Sequence, residues 1–377
     1  MEGLLTVMGY PGRPLAFVGM SVKLCLASSS GGKQSKRQWR DALRSISIRF
    51  SAGAVAVLAG LVPALVQTAL AQTALAQTVP TIRMGRQTAA EDNLWLMIAK
   101  PDLTPNLGKS YKIEWNQFRA SDAAFQAFQS GQVDLLTTNC NSVITAFSKG
   151  VEVRLIASVS RETEKGAKTQ YLAKKDGGPA NIAALKGQII GIVGHRTGTE
   201  LWARQALKTG GLDPDKDVTF AVVPFAAVGD AVRAGKIATG SVVDMFAAAE
   251  LAKGDVKALF TSKTGMPFDE ELIVVNASPA FLEKNGDAVR GFLADLKATT
   301  KYLMENRQAA RQALLDAKLV ALPPPIYMAA PEYERDPNLK PSMAALAQQQ
   351  DALVSAGFVE KKIDLAKLVD TRFLPAN

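Results

Sequence analysis

Hydrophobic and polar positions change rhythm along this chain, and the first change comes early. Lys36, Arg37, Arg40, Arg44 and Arg49 precede an apolar run over 50–66, and the triplets Ala69-Leu70-Ala71 and Ala74-Leu75-Ala76 follow. A basic start, an apolar middle and small residues at the end predict a secretory signal peptide, cleaved after Ala76 or Ala71. Pro63 and the abundance of Ala and Gly make the run a poor membrane span, which needs about 20 clearly apolar residues. Cys25 lies before the run, the wrong place for lipid attachment at a cleavage point. The expectation is a soluble exported protein.

From 78 onward, short β-rich runs alternate with helical segments. Strands are expected over 81–84, 112–117, 133–136, 151–159 and 170–173, with helices over 92–100 and 121–130 between them. The run 112–117 alternates with period two, as a half-buried strand does. Lys174-Lys175-Asp176-Gly177-Gly178-Pro179 breaks the pattern, which then restarts. A short helix over 181–185 leads to a buried strand over 188–193 and a helix over 200–209 ended by Gly210-Gly211. Strands over 218–223, 241–243 and 272–276 and helices over 228–234, 279–284 and 286–316 follow. Prolines 323, 324, 325, 331, 337 and 341 exclude a continuous helix over 321–341, and a last helix is expected over 343–356. No internal sequence repeat is visible.

Strands separated by helices predict an α/β fold of mostly parallel sheets covered on both faces. Two such sets give a two-lobe architecture with the ligand cleft between the lobes. We assign 1–76 to the leader, 78–175 with 272–320 to lobe 1, 180–268 to lobe 2, and 321–377 to a C-terminal helical tail. Ligands of such sheets bind beyond the carboxyl ends of the strands.

Charge changes the picture less than it first suggests. Of 44 Lys and Arg and 35 acidic residues, 8 and 2 fall within 1–76, which leaves 36 against 33, a net charge of +3. No basic block with interleaved aromatics remains, so nucleic-acid binding has little support. The segment after 76 holds one His and one Cys, too few for the usual zinc sites and no basis for an internal disulfide. No metal or cofactor is expected. A His195–Cys140 catalytic pair has no orienting third group in the sequence.

Three stretches carry candidate chemistry. Gly194-His195-Arg196-Thr197-Gly198-Thr199 joins a buried strand to a helix. The helix start offers free N–H groups, the glycines allow close approach, and Arg196 suits a sulfonate or carboxylate; the alternative is an ordinary Thr-capped helix with a solvated Arg. His195 is a candidate donor or lid residue, or is merely exposed. Thr137-Thr138-Asn139-Cys140-Asn141-Ser142 reads as a polar loop that caps a helix and lines the cleft mouth. Asp244-Met245-Phe246 follows a strand; Phe246 can pack on an organic ligand and Asp244 can accept from an amine. Trp95 serves either as core or as a pocket wall.

The ordered set of these segments resembles a known family. Gly131-Gln132-Val133-Asp134-Leu135 precedes Phe147-Ser148-Lys149-Gly150-Val151. Leu185-Lys186-Gly187-Gln188-Ile189 precedes the glycine-threonine loop, and the tail runs from Leu353 through Gly357-Phe358, Ile363-Asp364 and Asp370 to Phe373-Leu374. This order is similar to the solute-binding components of ABC importers for sulfonates, taurine, nitrate and thiamine-pyrimidine precursors, over about 78–377. The resemblance implies a periplasmic monomer that captures a small, anionic organic solute and hands it to permease subunits, with no enzymatic activity. It also places Gln87 and Thr88 at the cleft. A pyrimidine or other nitrogen-containing precursor is the alternative ligand class, and a same-fold enzyme the alternative function. Cys140 alone does not make the cysteine-rich loop of the pyrimidine-forming enzymes.

Overall fold

The computed structural model describes residues 79–87, 89–118 and 121–376; of Ser121, Asp122 and Asp244 it describes the backbone alone. The leader, its cleavage points and Thr88 lie outside the described residues. Among the described residues, no helix is long and apolar enough to cross a membrane.

Among the described residues, ten strands form two five-stranded sheets of matching design. The first takes β1 (Thr81–Arg86), β2 (Lys112–Gln117), β3 (Leu135–Asn139), β4 (Arg154–Glu162) and β10 (Glu270–Ala277), in the order β2-β1-β3-β10-β4. The second takes β5 (Gln170–Lys174), β6 (Ile189–Ile192), β7 (Thr219–Val222), β8 (Thr239–Val242) and β9 (Val256–Thr261), in the order β7-β6-β8-β5-β9. In each sheet the first three strands pair in parallel, Met84 opposite Trp115 and Ile192 opposite Val222. The fourth position runs against both neighbours: β10 against β3 and β4, β5 against β8 and β9. The sheets are therefore mixed, with one reversed strand each. The reversed strand is in both cases the one whose chain has just arrived from the other sheet.

That exchange relocates one expected element. The run 170–173, assigned with the first lobe, pairs instead in the second sheet as β5, Tyr171 standing opposite Ser241 and Phe260. The chain thus crosses between Glu162 and Gln170, before the Gly177-Gly178 break, and returns between Thr261 and Glu270. The strand Val256–Thr261 was not anticipated, because its burial is uneven and its apolar period short.

Helices cover both sheets. Those needed below are α1 (Asp92–Ala99), α2 (Ser121–Gln129), α3 (Cys140–Ser148), α4 (Gly198–Thr209), α5 (Phe225–Arg233), α6 (Asp244–Ala252) and α7 (Ser262–Gly265). α5 starts three residues before the expected point because Pro224, with its fixed φ, sits at the N-cap. The long helical stretch after Ser278 kinks at Asn285, between the two expected helices, and breaks again at Asn306, which separates α8 (Pro279–Glu305) from α9 (Arg307–Asp316). Within the proline-rich segment a short helix, α10 (Pro324–Ala329), opens on proline, where the missing N–H costs nothing. α11 (Met343–Ser355) and α12 (Leu365–Leu368) end the chain. α10 packs on α6, and α11 packs on α3, β10 and α4, so the tail touches both lobes.

The largest apolar cluster runs through the first sheet, with Ile82, Leu135, Val274 and Phe292 fully buried. All eight residues of β10 are buried, as befits a strand with neighbours on both sides. A separate cluster of Leu172, Val228, Val242 and Val256 holds the second lobe. Each such side chain stabilises the fold by roughly 1.5–3 kcal/mol through burial.

Candidate functional site

The cleft is built where strands of both sheets end and helices begin. From the first lobe, β1 delivers Gln87, Ala89 and Ala90, β3 delivers Asn139, and β10 contributes Leu272 and Ile273. The second lobe faces them with Val193 and Thr197 to Thr199 at the β6–α4 turn, Trp202 on α4, Phe225 at the start of α5, and Val243 before α6. The empty space between them is about 590 Å³, continuous with solvent. Most of the wall is apolar; among the described residues no Lys, Arg or His lines it.

The two strand-to-helix turns share a backbone device. Ala90 and Arg196 both hold positive φ, at 63° and 58°, a region costly for residues with a Cβ. A glutamate stabilises each turn. Both carboxylate oxygens of Glu91 lie 3.1 Å from the Gln87 N–H, and Glu200 accepts the Arg196 N–H at 2.7 Å. Glu91 is fully buried, and burial pushes its carboxyl up to about 7 despite its hydrogen bonds to Thr137 and Gln87 and the nearby Arg86 charge. Glu200 instead pairs with Arg204 at 2.7 Å. Gln87 is held by donating through Nε2 to the Thr137 carbonyl at 2.9 Å.

Three helix N-termini of the second lobe converge on the cleft without side-chain caps. Thr197 is the N-cap of α4, but its hydroxyl donates to the Gly194 carbonyl at 2.7 Å and lies 2.9 Å from the Thr199 hydroxyl, and it accepts no helical N–H. Pro224 and Val243 cap α5 and α6 and have no side-chain acceptor to offer. Uncapped first turns carry free N–H groups and a partial positive charge. Among the described residues, the positive character of this wall thus belongs to backbone.

Gly198 marks the tightest point. A Cβ there would come within 2.9 Å of Asn139 Oδ1, 3.0 Å of its Nδ2, and 3.0 Å of the Trp202 ring. The lobes touch across this glycine, and no larger residue fits without displacing Asn139.

Of the expected site residues, Gln87, Asn139, Thr197, Gly198 and Thr199 meet in the cleft. The expected polar loop over 137–142 is absent. Thr137 to Asn139 continue β3, and α3 begins at Cys140, with Asn139 as cap accepting the Asn141 N–H at 3.1 Å. Cys140 and Asn141 therefore point into the fold. Cys140 is fully buried, its thiol pushed well up by burial and by the charges of Glu271 and Glu270. Asn141 accepts from Gln349 Nε2 at 3.2 Å. Trp95 is core, clustered with Leu96, Leu303 and Tyr327.

Arg196 does not reach the cleft lining. Its left-handed backbone turns the side chain toward the C-terminal segment, where Nη1 donates to the Phe358 carbonyl at 3.2 Å and the guanidinium lies 5.7 Å from the Phe358 ring centre. His195 stands 61% exposed, 3.5 Å from Glu200. Phe246 backs the wall rather than forming it, its ring 5.8 Å from Phe225. Asp244 opens α6, directly after the cleft residue Val243.

Comparison with known proteins now decides the family. The model described as NMT1/THI5 like matches residues 112–310, more than half of the chain. The chain belongs to the NMT1/THI5-like family. A curated relative from Escherichia coli (strain K12), described as an aliphatic sulfonates-binding protein, is 25% identical over 262 residues, 68% of this chain and 79% of its own length. The crystal structure of the periplasmic aliphatic sulphonate binding protein from Escherichia coli superposes with a TM-score of 0.62 at 21% identity, over 77% of this chain and 92% of that one. The periplasmic nitrate-binding protein from Synechocystis PCC 6803 reaches 0.57 at 12% identity, over 78% and 92%. These likenesses establish the periplasmic-binding-protein-like fold for this NMT1/THI5-like chain.

Reasoning from the sequence missed Trp202, Phe225, Val243, Leu272 and Ile273. Trp202 was within reach: it lies three residues after Thr199, on the same helical face. Leu272 and Ile273 read as plain core, and only the crossing of β10 brings them to the cleft.

Proposed function

We propose that this NMT1/THI5-like protein is the exported substrate-binding component of an ABC importer, which captures a small organic anion in the cleft and presents it to a permease. The observation that carries the reading is the convergence of the uncapped starts of α4, α5 and α6 on one apolar-walled cleft. Backbone N–H groups there suit a fixed anionic head, while Trp202, Phe225 and Leu272 suit an apolar body. The sulfonate- and nitrate-binding relatives make a sulfonate the first candidate. The protein acts as a monomer and without turnover. Cys140, the one cysteine of the described chain, is sealed in the core and cannot meet a ligand in the cleft.

Calorimetric titration of the mature chain with alkanesulfonates, nitrate and an alkylammonium control tests this. The expected result is saturable binding of a sulfonate, none of the ammonium, and compaction in solution scattering on binding. Ligand recovered after denaturation should have unchanged mass. Binding of the cation alone, or conversion of the sulfonate, overturns the reading.

A further inference from the structure

The mechanism of capture leaves one group of buried charges unused. Glu162 ends β4 and Glu270 begins β10, opposite one another in register at the two points where the chain leaves and re-enters the first sheet. Both are fully buried. Lys263, from α7 at the end of the second lobe, donates to Glu270 Oε2 at 2.5 Å and to the Phe268 carbonyl at 2.8 Å. Glu162 accepts from the Thr169 backbone and hydroxyl at 2.9 and 2.6 Å, and from the Ser262 hydroxyl. Lys263 bonds Glu270 and reaches Glu162 only through its charge, so two buried carboxylates face one ammonium, a costly arrangement unless their oxygens are hydrogen-bonded.

The network does not end at the crossing. The indole Nε1–H of Trp202 donates to both oxygens of Glu270, at 3.0 and 3.1 Å. Trp202 is also a wall of the cleft and abuts Gly198. One side chain thus touches the space a solute would occupy with its ring, and the crossing with its nitrogen.

We propose that Glu270 is a positioning residue for the cleft, tying the Trp202 wall to the crossing segment so that rotation at the crossing and placement of that wall occur together. Every charged or titratable group facing Glu270 bears on this. Lys263 on α7 favours its charged form; Glu162 on β4 disfavours it; the Tyr171 hydroxyl on β5 and the Cys140 thiol on α3 both lie in its field and are themselves pushed up by burial. Burial dominates and raises the Glu270 carboxyl to about 7. Protonation removes the charge from the indole bond, so the wall is held most firmly above that pH. A sulfonate keeps its own charge throughout, so a pH effect on its binding reports the protein.

The ligand arm of the test rests on the proposed function; the other arm does not. In the full chain labelled with ¹⁵N, the Trp202 indole resonance, assigned with Trp202→Phe, should move with a midpoint near pH 7. Glu270→Gln should abolish that movement. With hexanesulfonate as probe, affinity should fall about tenfold as pH drops through the midpoint, the weakening expected when a charge-assisted bond becomes a neutral one; Glu270→Gln should show a flat profile. An indole resonance that is static across about two pH units either side of the midpoint overturns the proposal, and it is read in the parent chain once Trp202→Phe has assigned it. An indole titration without any hexanesulfonate binding supports the coupling and defeats only the ligand reading.

Discussion

The two lobes bring the same elements to the cleft and finish one helix start differently. In the first lobe, Asn139 caps α3 with its own side chain, while Glu91 at the N-cap of α1 gives its carboxylate to the Gln87 N–H and not to the helix. In the second, α4, α5 and α6 begin on residues that make no side-chain cap. The turns before α1 and α4 even share a left-handed residue and a glutamate that binds its vicinity. The difference is therefore not one of backbone shape. It is one of side-chain acceptors: Asn139 fills the first turn of α3, and no side chain caps α4, α5 or α6.

The sharpest way to break this comparison is to fill the gap at α4. Gly198→Val puts a branched side chain where a Cβ already meets Asn139 and Trp202. Overpacking of this kind costs about 1–3 kcal/mol, in part against Trp202 on the same helix and in part against Asn139 of the other lobe. Sulfonate affinity should fall by roughly 10- to 100-fold, a larger effect than the contact with Trp202 alone has on the melting temperature. Undiminished affinity by calorimetry would show that the solute sits elsewhere.

A second test exchanges the matched glutamates. The Glu91 carboxyl is raised from an ordinary 4.5 to about 7, so the folded state holds its proton more tightly than the unfolded one. The stability it contributes is complete below about 4.5 and is lost as pH rises through about 7. Glu91→Gln escapes that loss. It should exceed the parent by on the order of 2 kcal/mol near pH 8, and by little near pH 4.5. Glu200→Gln breaks the bond to Arg204 and should instead destabilise, by about 1–3 kcal/mol. Denaturant titrations at both pH values read the pair; a Glu91→Gln curve parallel to the parent would mean that the two turns are electrostatically alike.

The smallest effect is expected at Arg196. Its guanidinium rests on Phe358, outside the cleft lining. Arg196→Ala should leave sulfonate affinity within about twofold and cost roughly 0.5–1 kcal/mol of stability, the size of an exposed cation–π contact. A tenfold loss of affinity by calorimetry would return this side chain to the site.

How far the site was legible depends on the range of the interactions that make it. The alternation of strands and helices, and the loop around Gly194 to Thr199, follow from local patterns of glycine, hydroxyl and apolar residues. Arg196 misled because a basic residue beside a helix start suggests an anion partner, while its direction is set by a left-handed φ and by Phe358, 162 residues away. The segment 137–142 misled because small polar residues read as loop, yet β3 continues through Thr137 to Asn139, where β10 pairs with it. Trp202 was passed over because its role depends on Glu270. The second sheet's claim on β5 was equally hidden, since its partners β8 and β9 follow it by roughly seventy to ninety positions.

The placement of β10 has a consequence for how the chain becomes a protein at all. The second sheet is made from one unbroken stretch, Gln170 to Thr261, and can form as soon as that stretch exists. The first cannot. Its strand β10 separates β3 from β4 and pairs Ile273 with Asn139, so the sheet waits for residues made more than a hundred positions later. Closing so long a loop must precede the contacts that reward it. The lobe that begins first is therefore the one finished last, and until β10 arrives its open strand edges and apolar face remain exposed to whatever accompanies the chain on its way to folding.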